Sequence, residues 1–162
     1  MSLIISPPLS KILTELARKQ GIPVDLFLAK IAEKDLDPNT RIKMYLEIFE
    51  RLLKEVEEYE RKGDLIQASE KYWEAICALL NIIGEIKGMP HYRHSDYWEI
   101  IEEIISETRD RDIARFFSVA ERLHANFYHN FIRKENFHIY SSDVKALIKK
   151  LKNYIKSKGI QI

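Results

Sequence analysis

Of the five histidines in this 162-residue chain, His124 stands in the setting that chemistry needs. If its segment is helical, about 100° per residue puts it on the apolar face, between Ala120 and Phe127. A buried imidazole left without a hydrogen-bond partner costs about 1–3 kcal/mol, so a partner must be near. Glu70 or Ser69, on a second strongly apolar helix, can supply it. Ser69, Glu70, Lys71, His124 and Asn126 then make a candidate binding site. The plainer reading of the same residues is a satisfied core histidine that pins two helices together. No metal site and no cofactor is expected, because Glu70 and His124 supply two ligands where a catalytic metal takes three. His91-x-x-His94 is half of a zinc clamp without a second pair, so His91, His94 and His138 read as surface histidines in loops. Cys77 stands alone, which excludes an intramolecular disulfide and a cysteine zinc site, and on a largely buried helix it reads as inert. Phosphate-cradling glycine loops and nucleophile elbows are absent.

The elements that must position these residues are helices. Leu9, Ile12, Leu13, Leu16 and Ala17 recur at three and four residues up to Gly21, and Pro23 opens a second short helix with Phe27, Leu28 and Ile31. Asp37-Pro38 reads as an N-cap followed by a first-turn proline. From there Ile42, Tyr45, Leu46, Phe49, Leu52, Leu53, Val56 and Tyr59 hold one face until Gly63, and Asp64 with Gln67 is the next cap. The helix over residues 65–87 is apolar around much of its circumference, which makes it the central one, and Gly88-Met89-Pro90 ends it. Ser95-Asp96 caps a helix through Ile101, Ile104 and Ile105. Residues 110–133 form another, and Ser141-Ser142 caps a last one with Val144, Leu147, Ile148, Leu151, Tyr154 and Ile155. A strand is conceivable only at Leu3-Ile4-Ile5. As a DNA-reading arm, residues 2–6 lack polar side chains that reach base edges, so packing or dimerisation is the expected role. The expected fold is all-α: an up-and-down helical bundle over residues 37–162, preceded by a helical hairpin arm over residues 1–36.

Two segments resemble a known family. Gly63-Asp64-Leu65-Ile66-Gln67-Ala68-Ser69-Glu70-Lys71-Tyr72-Trp73 resembles the G-D-x-x-Q-A-S-E-K-x-W signature of the archaeal PaREP family, and Leu123-His124-Ala125-Asn126-Phe127-Tyr128 is similar to its L-H-x-N-F-Y segment. The likeness runs over residues 37–133. Glu74 stands where the family has a small residue, and His129 where it has an acid. The family is placed near the HEPN helical domains, so the resemblance implies a HEPN-like bundle. Ribonucleases of that group use an Arg followed by a His on one helix at a dimer cleft. Arg122 and His129, with six residues between them, match that spacing and share a face, the His as acid or base and the Arg against phosphate charge. Their stripe continues through Arg111, Arg115, Ser118, Asn126 and Arg133, opposite Ile113, Phe116, Ala120, Leu123, Phe127 and Phe131. It therefore points away from its own bundle, toward solvent or a partner.

Composition sets the remaining limits. With 31% charged and 46% hydrophobic residues the chain is neither disordered nor membrane-spanning, and the first ten residues carry no export pattern, so a cytoplasmic location is expected. The net charge of +1 excludes a uniformly basic protein, yet it hides a strong polarity. Residues 1–108 hold 14 Lys/Arg and 20 Asp/Glu, net −6, while residues 109–162 hold 12 and 5, net +7. Lys149, Lys150 and Lys152 lie in the most basic stretch, with Lys145, Lys156 and Lys158 against Asp143 alone. That face is either solvated or offered to RNA or to the acidic residues around Glu55–Glu60 of a second copy, though no aromatic side chain interleaves it for base stacking. Gly63-Asp64, Ala68, Tyr72 and Ala75 also copy one helix of a tetratricopeptide unit, but a stable array needs at least three such units. The expected function is a non-catalytic interaction or nucleotide- or RNA-binding module acting as a homodimer. A metal-independent ribonuclease using Arg122 and His129, and a peptide-binding adaptor, are the alternatives.

Overall fold

The computed structural model describes residues 3–162, so Met1 and Ser2 of the expected arm lie outside the described residues. Seven helices follow in order: α1 (Pro7–Gln20), α2 (Val24–Ala32), α3 (Pro38–Lys62), α4 (Leu65–Lys87), α5 (His94–Thr108), α6 (Arg111–His129) and α7 (Phe137–Ser157). Single turns of 3-10 helix lie at Glu33–Asp35 and Lys134–Asn136. Leu3, Ile4 and Ile5 form no strand, and no strand occurs among the described residues.

The strong cap signals act as their chemistry dictates. The Asp37 carboxylate accepts from the backbone N–H groups of Asn39 and Thr40 at 3.0 and 3.2 Å, and Asp64 accepts from Gln67 N–H at 3.1 Å. Gly63, at φ 75°, takes the left-handed turn that lets α4 start two residues after α3 ends. Three expected boundaries move. α5 begins at His94, because Asp96 reaches back to accept from Tyr92 N–H at 2.7 Å and Arg93 N–H at 2.9 Å. α6 stops at His129, where Asn130 turns left-handed at φ 45°. α7 starts at Phe137, and the hydroxyls of Ser141 and Ser142 donate back to the carbonyls of His138 and Ile139 inside the helix rather than capping it.

Cross-helix pairs fix the directions. Glu60 meets Tyr72, and Arg41 meets Glu85. Ser69 meets Asn126, and Asp110 meets Lys150. The first pair of contacts runs in opposite sequence order; so do Ser69–Asn126 with Trp73–Phe117, and Asp110–Lys150 with Arg122–Tyr140, so α3, α4, α6 and α7 pass up and down in turn. Nearly every residue of α4 from Ala68 to Gly84 is buried, which is why its sequence is apolar around the whole circumference. It is wrapped by Tyr45, Phe49 and Leu52 of α3, by Ile113, Phe117 and Leu123 of α6, and by Val144, Leu147 and Leu151 of α7. Phe117, rather than Phe116, is the deeply buried ring of α6. The α1–α2 hairpin lies alongside α3 and α4. Gly21 sits so close to α5 that a Cβ there would come 3.0 Å from His94 Cβ, and Asp25 pairs with Arg51 of α3. Among the described residues, no helix is long and apolar enough to cross a membrane.

Candidate functional site

The residues singled out on α4 and α6 meet. His124 Nδ1 lies 2.8 Å from Glu70 Oε2, and Asn126 Nδ2 donates to Ser69 Oγ at 3.0 Å. Ser69 in turn donates to the Leu65 carbonyl at 2.7 Å. Asn126 is buried, not part of the outward stripe. Its side-chain oxygen accepts from the backbone N–H groups of Phe131 and Ile132 at 2.9 and 2.8 Å, so one amide fastens α6 to α4 and also shapes the turn into α7. Lys71 joins neither pair. It bonds Glu74 at 2.7 Å and approaches Glu55 at 3.5 Å, and these acids raise its pKa in spite of burial.

Around His124 the chain assembles an aromatic cluster. The imidazoles of His124 and His94 stack on the Trp73 indole at 4.9 and 5.1 Å. Their centroids are only 6.0 Å apart, so both lie on one face of the ring. His94 Nε2 approaches Glu121 Oε1 at 3.0 Å, and the indole N–H of Trp98 donates to the same oxygen at 2.6 Å. Burial acts to raise the Glu121 pKa, but these two contacts outweigh it and hold the carboxyl below its usual value. Tyr128 meets His124 edge-on at 5.2 Å. The imidazoles and carboxylates are thus paired and stacked, while the Trp73 indole N–H is buried without a hydrogen-bond partner.

A separate exposed surface is the corner between α6 and α7. Arg122 lies with its guanidinium over the Phe131 ring at 4.9 Å and the Tyr140 ring at 5.4 Å. Phe131 is exposed, as are His129, Arg133, Lys134 and His138 along the same stretch of chain, whereas the exposed Tyr128 turns toward His124. Arg122 and His129 share a face of α6, but neither bonds the other. The candidate lysines are dispersed: Lys150 pairs with Asp110 at 2.5 Å, Lys152 lies 5.8 Å over the Phe49 ring, and Lys149 is exposed.

Two of the three expected surface histidines are placed differently. His91 is 3% exposed, packed against Gly84 of α4 with Tyr45 edge-on at 5.9 Å. His94 opens α5 and stacks on Trp73, while His138 is exposed on the first turn of α7. The clue to His91 was a glycine inside the longest apolar helix, which marks a close approach to something. The roles of Trp73 and Glu121 carried no comparable signal, because stacking partners come from three helices.

The sequence model of the Archaeal PaREP1/PaREP8 family matches residues 44–148, a span that contains both halves of the Ser69–Asn126 and Glu70–His124 pairing. No curated protein and no solved structure matches the chain.

Proposed function

The chain belongs to the archaeal PaREP1/PaREP8 family, and from that premise and the geometry of the α6–α7 corner we propose a non-catalytic RNA-binding module that acts as a homodimer. The carrying observation is Arg122, whose guanidinium already lies over the exposed Phe131 ring, in a stretch of chain that also exposes His129, Arg133, Lys134 and His138. Cations beside exposed aromatic faces are what single strands use, the charges tracking phosphates and the rings stacking bases. This corner supplies the aromatic platform that α7 lacks, where Lys145, Lys150 and Lys158 are paired to Glu60, Asp110 and Glu107. The Ser69–Asn126 link gives the family motifs a part in this reading, since it shapes the turn that presents Phe131. The antiparallel α3–α4–α6–α7 arrangement is compatible with a HEPN-like bundle.

Gel retardation with a short single-stranded RNA tests it. Wild type retards the RNA at low salt and releases it as salt rises. Arg122→Ala and Phe131→Ala each weaken retention by about 5- to 100-fold, the span of about 1–3 kcal/mol per stacked base. Absence of retention at low salt, or undiminished retention in both variants, overturns the reading. RNA cleavage that disappears in His129→Ala would instead favour the nuclease.

For the homodimer, the support is a seam on the arm. Leu9, Ile12 and Leu16 are 50%, 53% and 40% exposed and fall at the a/d spacing by which two copies of one helix pair. We assign residues 1–36 this role, the occupant being a second copy. Sedimentation of wild type as a dimer and of Ile12→Lys as a monomer is expected.

A further inference from the structure

Near the C-terminal end of α4, about three turns beyond Trp73, lies a second polar cluster, in which Glu33, Glu85 and His91 offer ligand atoms all within 4.8 Å of one another. His91 Nδ1 is 2.9 Å from the Met89 carbonyl. A carbonyl only accepts, so Nδ1 carries the ring hydrogen and a lone pair remains on Nε2. That lone pair faces the gap beside two carboxylate oxygens, Glu85 Oε1 at 3.1 Å and Glu33 Oε2 at 4.0 Å. Yet Nε2 is fully buried without a hydrogen-bond partner, because the Glu85 oxygen lies off the line that an Nε2 proton would take. Three acceptors facing one another need a positive charge between them, and the geometry suits an ion better than a proton.

Each ligand has a second partner. Arg41 bonds the other Glu85 oxygen at 2.9 Å, and the Tyr45 hydroxyl donates at 2.8 Å to Glu33 Oε2, the oxygen that faces His91. The Met89 carbonyl fixes the His91 tautomer, as outer partners of metal ligands do. The imidazole lies so close to α4 that a Cβ on Gly84 would fall 2.6 Å from Nδ1. A cavity of about 480 Å³ bounded by Arg41, Glu85, Met89 and Tyr92 gives access.

We propose that Glu33, Glu85 and His91 form a structural site for one divalent first-row transition-metal ion, with zinc the preferred occupant. One imidazole nitrogen and two carboxylate oxygens are a borderline donor set, suited to zinc or manganese more than to calcium. Ligand atoms about 2.1 Å from an ion, separated by roughly 90–110°, stand about 3.0–3.4 Å apart. The Nε2–Glu85 separation already matches, and Glu33, 4.0 Å from Nε2 and within 4.8 Å of the Glu85 oxygen, has to close in by about an ångström. Bound there, the ion ties the 3-10 turn after α2 to α4 and to the α4–α5 loop. The site is independent of the RNA-binding corner.

Calorimetric titration of chelator-stripped wild type with zinc chloride at pH 7 tests it, with magnesium as control. One zinc per chain and a higher Tm in zinc are expected, with affinity reduced at least about tenfold in both His91→Gln and Glu33→Gln. Because His91→Gln can fail to fold, manganese is also titrated into wild type, where paramagnetic broadening should centre on the amides of Gly84, Glu85 and His91. No zinc binding at roughly micromolar concentration overturns the proposal. So does binding that survives in both variants, or broadening centred on His129 and His138. Zinc-insensitive spectra that show a proton on His91 Nε2 would replace the ion with an imidazolium.

Discussion

Glu74 is pulled in two directions. Burial among the helices penalises its carboxylate, while Lys71 at 2.7 Å favours it, and burial wins by enough to push its pKa up to about 7. A carboxyl whose folded pKa exceeds its unfolded one binds its proton more tightly in the native state. It therefore costs stability as pH rises from about 4.5 through about 7. Glu74→Gln removes that cost. Urea unfolding at pH 8 should show the variant more stable by about 1–3 kcal/mol, and the two proteins converging near pH 4.5. Cys77 is the opposite case, a group with no counter-charge: burial first, then Glu70 and Glu74, push its thiol well above the ordinary range. A thiol reagent at pH 8 should leave it untouched in the native protein and react once the chain unfolds.

Gly84 shows how an element can be at odds with its own propensity. In mid-helix, alanine normally gains about 1 kcal/mol over glycine. Here its methyl group would drive into His91, with ring atoms at 2.6 and 2.9 Å, and α4 cannot move because it is the bundle's centre. Gly84→Ala should therefore lower stability by about 1–3 kcal/mol by thermal or chemical unfolding, against the sign of helix propensity. This is also where the sequence was least legible. Asp37-Pro38, Gly63-Asp64 and Gly88 marked helix ends because capping is local chemistry, complete within four residues. The Glu70–His124 contact was legible because 3.6-residue periodicity aims both side chains at one interface. His91 was not, since nothing local says that a loop folds down onto a helix. Ser141 and Ser142 look like caps in sequence, but hydroxyls that bond backward inside a helix have the same spelling.

At the scale of the molecule, the acidic first two-thirds and the basic last third neutralise each other within one chain. Glu60 meets Lys145, and Glu107 meets Lys158. Glu107 takes Lys87, Tyr154 and Lys158 together, and those hydrogen bonds hold its carboxyl down to about 2. Its sign is opposite to that of Glu74: the stabilisation is present above about 4.5 and is lost as pH falls toward about 2. Between them the two groups place greatest stability near the pH where both unfolded carboxyls titrate. A Tm series should peak near pH 5 in wild type, with the acid limb shallower in Glu107→Gln and the neutral limb shallower in Glu74→Gln.

Trp73 and Trp98 are the only two indoles, and their surroundings could hardly differ. One is wholly enclosed with two imidazoles against its face, and the other is 52% exposed. Under ultraviolet excitation the first should emit at short wavelength and resist quenching, while the second emits at long wavelength and yields to a soluble quencher. The bundle thus carries its own pair of lamps, one reading the α4–α5–α6 junction and one the solvent-facing flank of α5.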